Sequence, residues 1–200
     1  RPSAGAQPVC DAVIGNIFRA GPRKRGWVEV RLADGRAGFL PAANVQDYAA
    51  WQQSRNLTAA NVERTARMFV GVPYLWGGTS SKGMDCSGFT KTVFRLNGHE
   101  LSRDASQQVL NGRDVDAGKE FENLTKGDLL FFGRRPEDGE PERITHVAIY
   151  LEKRRFIHSS VRGRVRWGSF DPASPEYDDY NLKRFVRARR IIPAPTVPER

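Results

Sequence analysis

The hydrophobic period changes once along this chain, near Thr58, and that change limits what the chain can fold into. Before it the apolar residues alternate as in short strands. Trp27-Val28-Glu29-Val30-Arg31-Leu32 leads to an Asp34-Gly35 hairpin turn, Gly38-Phe39-Leu40 returns, and Pro41 to Val45 closes with a single helical turn. A small β-barrel is expected over 9–47, followed by a linker over 48–57 in which Tyr48 and Trp51 pin the two domains together. From Thr58, a capping residue, Val62, Ala66, Phe69 and Val70 share one helical face until Gly71-Val72-Pro73 ends it. A second helix is predicted from Asp85 to Asn97, with Phe89, Val93 and Leu96 on its apolar side. Asp104 and Gln107 form a capping box for a third, which closes at Asn111-Gly112. Strands are then predicted at 128–132, 146–151, 155–159, 165–167 and 185–192, with an exposed loop over 133–143 and a flexible tail over 193–200. Helices followed by an antiparallel sheet make the 58–192 domain α+β.

Composition excludes some classes. Four Trp, five Tyr and eleven Phe in 200 residues argue for packed cores and against disorder. No apolar run approaches the roughly 20 residues of a membrane span, so none is expected. The chain starts at Arg1 with neither Met nor a signal pattern, as in a processed protein or a piece of a longer one. The net charge of +9, concentrated in 19–36 and 183–190, favours an anionic partner, whether nucleic acid, acidic lipid or cell-wall polymer. Because the basic residues alternate with apolar ones, the same charge also fits ordinary exposed strand faces. No interleaved aromatic and basic platform points to nucleic acid.

The two cysteines, Cys10 and Cys86, lie in contexts too different to suggest a disulfide, and Cys10 has no assigned role. Cys86 stands where a loop gives way to the second helix. The unpaired amides and dipole of a helix start favour an anion, so a lowered thiol pKa and a reactive thiolate are expected there. Free cysteine is also among the most buried residue types, and position alone fits a core residue as well.

Only three histidines occur. His146 opens one predicted strand and His158 lies near the end of the next, while His99, in a loop, is given no role. If residues 152–155 make the turn, Leu151 pairs with Arg155 and Ala148 with His158. That register puts both rings on one face as diagonal neighbours about 7–8 Å apart at Cα. A slip of one residue would separate them. A catalytic base needs a third group to orient it, and His158 is placed to orient His146.

These residues fall in strings that resemble the NlpC/P60 family of papain-like cell-wall peptidases: Gly71-Val-Pro-Tyr-Leu-Trp-Gly-Gly78, Met84-Asp-Cys-Ser-Gly-Phe89, Leu101-Ser-Arg-Asp-Ala-Ser-Gln-Gln108, Gly127-Asp-Leu-Leu-Phe-Phe132 and Thr145-His-Val-Ala-Ile-Tyr150, then Phe156-Ile-His-Ser159. Residues 25–45 are similar to a bacterial SH3 domain. The resemblance implies a triad of Cys86, His146 and His158. It also implies that Tyr74 lines the site and shares the oxyanion with the Cys86 amide, and that Asp85 holds a substrate amine, with Ser87 and Ser106 as weaker pocket residues. The implied substrates are short murein peptides with a free N-terminal L-alanine, cut between D-glutamate and the diamino acid. Relatives that trim such peptides often carry two SH3-like modules where this chain displays one, which leaves intact wall open as a substrate. Neither metal nor cofactor is implied, and a monomer in the cell envelope is expected, with cytoplasmic recycling as the alternative site of action. Amide hydrolysis or acyl transfer on a non-murein substrate, or a wall-binding module with an idle site, are the competing classes.

Overall fold

The computed structural model describes residues 2–137 and 140–193. The chain divides into two compact units, Arg1–Arg55 and Asn56–Arg200. The first holds an antiparallel sheet of β1 (Arg19–Lys24), β2 (Trp27–Arg31) and β3 (Ala37–Pro41), in that order. Leu32 N–H bonds Arg36 C=O across the expected turn, where Gly35 takes a φ of 85° that costs a glycine little. Val28 and Val30 are its buried residues, a 3₁₀ turn follows at Ala42–Asn44, and α1 spans Tyr48–Gln53. The expected linker is therefore partly helical. Asp47, whose carboxylate accepts from Ala50 N–H, caps the helix that polar composition had concealed.

The second unit opens with α2 (Ala59–Arg67), capped by Thr58. Val62, Ala66 and Phe69 are buried as expected, but Val70 is exposed, because the helix stops at Arg67 and the 3.6-residue period no longer places it. The short pair β4 (Thr79–Ser80) and β5 (Gly83–Met84) leads into α3 (Cys86–Leu96), and α4 is Ala105–Gln108 with the Asp104/Gln107 box in place. The remaining elements are β6 (Arg113–Val115), β7 (Leu129–Arg134), β8 (Arg143–Tyr150), β9 (Arg155–Ser159), β10 (Val165–Ser169), α5 (Asp179–Lys183) and β11 (Phe185–Arg190). The six later strands form one antiparallel sheet in the order β10-β9-β8-β7-β11-β6. The predicted 133–143 loop is shorter than expected, since β7 and β8 extend into it. Of the 193–200 tail only Pro193 lies within the described residues.

Leu130, Phe132, Ala148, Tyr150, Phe156, Phe170 and Ala188 bury one sheet face. The alternate residues Leu129, Phe131, Val147, Ile149 and Ile157 are equally buried, so both faces are covered. Each fully buried large side chain contributes about 1.5–3 kcal/mol. α3 packs on β8, β9 and α2, and its Phe89 meets Phe69, in the turn after α2, edge to face. No helix among the described residues is long and apolar enough to cross a membrane.

The basic run at 183–190 is largely spent within the fold. Arg190 grips the buried Asp128 with two bonds of 2.7 Å, and Arg187 bonds Glu142 at 2.6 Å. Arg189 faces Asp114 at 3.2 Å. This stretch fastens β11 to its neighbours and leaves little free charge for an anionic polymer.

Gly88 fixes the start of α3. A Cβ there would collide with the Gly78 carbonyl oxygen and come within 3.0 Å of Asp85 Oδ1. Glycine to alanine inside a helix ordinarily adds about 0.5–1 kcal/mol of stability. Gly88→Ala is expected to remove about 1–3 kcal/mol instead, through overpacking. A urea titration checks the sign.

Candidate active site

α3 begins at Cys86 because Asp85 caps it: the Asp85 backbone is extended, and its Oδ1 accepts from Gly88 N–H at 2.6 Å. The rest of this carboxylate is also engaged. Arg103 forks onto it with bonds of 2.7 and 3.2 Å, Gly77 N–H donates at 3.0 Å and Ser87 Oγ at 3.3 Å. Burial raises the Asp85 pKa, but the Arg103 pair and the two amides outweigh it and leave the group below the ordinary carboxylate value. Ser87 is buried in the same brace, its hydroxyl accepting from Arg103 at 3.0 Å. Gln108, fully buried, donates to the carbonyls of Ser87 and Ser102 and accepts from Thr90 Oγ1. The loop carrying Cys86 is thus held at several independent points.

The Cys86 side chain is nearly buried. Burial pushes its thiol up, Asp85's charge adds to the rise, and the Val147, Ser87 and Cys86 amides pull the other way without prevailing. The expected lowering by the helix start is therefore overturned. The Ser87 and Cys86 amides at the helix start act as foreseen, but loss of water around the sulfur costs the anion more than they return.

The β8–β9 hairpin has the register expected from the sequence. Ile149 pairs with Ile157 and Tyr150 with Phe156, while Leu151 N–H bonds Arg155 C=O. His146 and His158 consequently share a face, and His146 Nε2 lies 2.8 Å from His158 Nδ1 with the rings at 79°. Phe132 and Phe156 pack beside them at centroid distances of 5.6 and 5.2 Å. Burial, His158 and Arg184 hold His146 well below the ordinary imidazole value, against the opposing charges of Asp178 and Asp85. Burial, Arg166 and Arg162 bring His158 down to about 3. Both rings are neutral at neutral pH. Asp178 Oδ2 stands 4.0 Å from the other nitrogen of His158, Nε2.

Tyr74, half-buried, has its phenol pKa raised by burial and then by the charge of Cys86, which places the two in electrostatic reach. Ser106 is exposed on α4, and His99 packs edge-on against Phe94 at 6.2 Å. Sequence reasoning gave no role to Arg103, Gln108 or Asp178. The first two lie inside the Leu101–Gln108 string, where an arginine and a glutamine near a cysteine loop were the available signal. Asp178 had none.

Among known proteins, the NlpC/P60 family description matches residues 71–190. The chain is 37% identical over 164 residues to a γ-D-glutamyl-L-lysine dipeptidyl-peptidase of Bacillus cereus, covering 82% of this chain and 46% of that protein. It is 36% identical over 123 residues to the murein DD-endopeptidase MepS/murein LD-carboxypeptidase of Escherichia coli K12, covering 61% and 57%. A solved NlpC/P60 family protein from Bacillus cereus superposes with a TM-score of 0.71 at 30% identity, over 88% of this chain and 54% of the other. The chain spans only part of the curated relatives it matches, 46% of one and 51% of another. With the α+β fold, the ordered motifs and a match over more than half its length, the chain belongs to the NlpC/P60 family.

Proposed function

We propose that this chain is a thiol peptidase of murein peptides, with Cys86 as nucleophile, His146 as base and His158 as the group that orients it. The observation that carries this is the 2.8 Å bond between two buried imidazoles on the sheet against which the Cys86 helix packs. Asp178 near His158 Nε2 favours a proton on that nitrogen, so His158 Nδ1 accepts and His146 Nε2 donates. His146 Nδ1 is then unprotonated and available to the thiol. The names of the relatives support γ-D-glutamyl-diamino acid bonds as the substrate class.

Because thiol and imidazole are both neutral at rest, proton transfer accompanies attack. Cys86 Sγ bonds the carbonyl carbon as its proton passes to His146 Nδ1. The unpartnered N–H groups that open a helix, including that of Cys86, face the developing oxyanion, with Tyr74 beside them. Collapse breaks the C–N bond while imidazolium His146 gives its proton to the departing amine. Water, deprotonated by His146, then cleaves the thioester, and the proton returns to sulfur. Asp85, neutralised by Arg103, serves first to hold the nucleophile loop, and its reach to a substrate amine depends on Arg103 yielding. Residues 9–47 act in this reading as an SH3-like module, and the envelope is the site of action.

Incubation with L-Ala-γ-D-Glu-diamino acid peptides tests the assignment. Cys86→Ser and His146→Ala are each expected to lower kcat by about 10⁴-fold or more. Product from Cys86→Ser at the wild-type rate would remove the nucleophile.

The neutral rings also make stability depend on pH. A histidine whose folded pKa is depressed stabilises the fold fully above its unfolded value, and that contribution is lost as pH falls from about 6.5 toward the folded value, about 3 for His158. Between pH 6 and pH 4, wild-type protein is expected to lose about 2.5 kcal/mol more than His158→Gln. Urea denaturation at the two pH values measures the difference, and parallel losses would contradict it.

A further inference from the structure

The β9–β10 hairpin and the outer edge of β10 border a cleft of about 490 Å³ lined by Arg162, Gly163, Arg164, Arg166, Trp167 and Glu176. Among the described residues none of the three arginines has an ion-pair partner, unlike the arginines of β11. Arg162 lies 6.0 Å from the Tyr180 ring, and Arg166 Nε donates to the Trp167 carbonyl at 3.3 Å. The single acid in the lining is directed elsewhere: Glu176 faces Arg155 at 3.8 Å and accepts from Ser174 Oγ at 3.0 Å.

The edge itself leaves one donor free. Ser160 N–H bonds Arg164 C=O and Phe170 N–H bonds Arg154 C=O, so even-numbered residues of β10 bond inward to β9. The odd-numbered ones point outward. Val165 spends its outward groups on Gly71 and Val72, and Ser169 spends its own on Glu176 and Asp178. Trp167 lies between them, with its carbonyl taken by Arg166 and its N–H directed to the cleft without an acceptor among the described residues. Its indole is held under the guanidinium groups of Arg67 and Arg155, at 4.7 and 5.5 Å.

The cleft adjoins the candidate site. Gly163 C=O accepts from Tyr74 N–H at 2.8 Å, and Arg166 pairs across the ladder with His158. We propose that Arg162, Arg164, Arg166 and the Trp167 amide form a subsite for a carboxylate of the peptide substrate, an inference that rests on the hydrolase reading above. Unpaired guanidinium groups beside a free N–H suit a planar oxyanion, and a murein peptide offers two: the glutamate α-carboxylate and the C-terminal carboxylate of the diamino acid. Filling the subsite also offsets the two arginine charges that oppose a proton on His158.

The experiment compares three forms of one L-Ala-γ-D-Glu-diamino acid peptide: the free acid, the glutamate α-carboxamide and the C-terminal carboxamide. Wild-type protein is expected to favour the free acid over one amide by about 10- to 100-fold in kcat/KM, chiefly through KM, and that amide identifies the bound carboxylate. Arg164→Gln/Arg166→Gln is expected to erase the preference, and Arg164→Gln, on an exposed side chain, to reduce it without disturbing the fold. Cleavage of all three peptides with no wild-type preference, or with a preference that survives in both variants, overturns the subsite and leaves the hydrolase standing. Failure of wild-type protein to cleave any of them overturns the hydrolase reading, and the subsite falls with it.

Discussion

One hydrogen bond between two side chains sealed from water, His146 Nε2 to His158 Nδ1 at 2.8 Å, sets the conditions for everything around it. It exists only because β8 and β9 meet in one register, and a shift of one residue would turn one ring to the opposite face. Phe132 and Phe156 exclude water from the same face. Low polarity makes the bond strong and an added charge expensive, so the rings rest neutral. Burial acts on Cys86 in the same direction. Burial thus disfavours the charged form of the thiol and of both imidazoles alike, and the proposed mechanism starts from those neutral groups.

Much of this was legible in the sequence, for local reasons. The expected helix from Asp85 to Asn97 is α3 with its two capping residues, and the hairpin register follows from a turn at 152–155 between two apolar strands. What escaped is what depends on the third dimension. Whether a helix start lowers a thiol pKa depends on how dry the sulfur is, and nothing in Met84-Asp-Cys-Ser-Gly states that. The fork of Arg103 onto Asp85 joins residues 18 positions apart, and the bond from Arg190 to Asp128 joins residues 62 apart. Short elements without a long apolar period, such as α1, β6 and α5, left no trace that a pattern could register.

Charge in the second unit is sorted by geometry more than by composition. The arginines of β11 are consumed by Asp128, Glu142 and Asp114, which turns a conspicuous basic run into fastening. Arg162, Arg164 and Arg166 of the β9–β10 hairpin have no such partners among the described residues, and they gather at an edge strand whose neighbouring residues have already committed their backbone groups. A net charge of +9 is consistent with either distribution. Which cations remain free to meet a ligand follows from the strand order.

The state of the two rings is open to direct observation. Nitrogen-15 NMR of histidine-labelled protein at pH 7 reports, ring by ring, which nitrogens carry protons. The account requires neutral spectra for both, with Nε2 protonated and Nδ1 bare in His146 as well as His158. A doubly protonated His146 at that pH, as in a resting pair of imidazolium and thiolate, would contradict it.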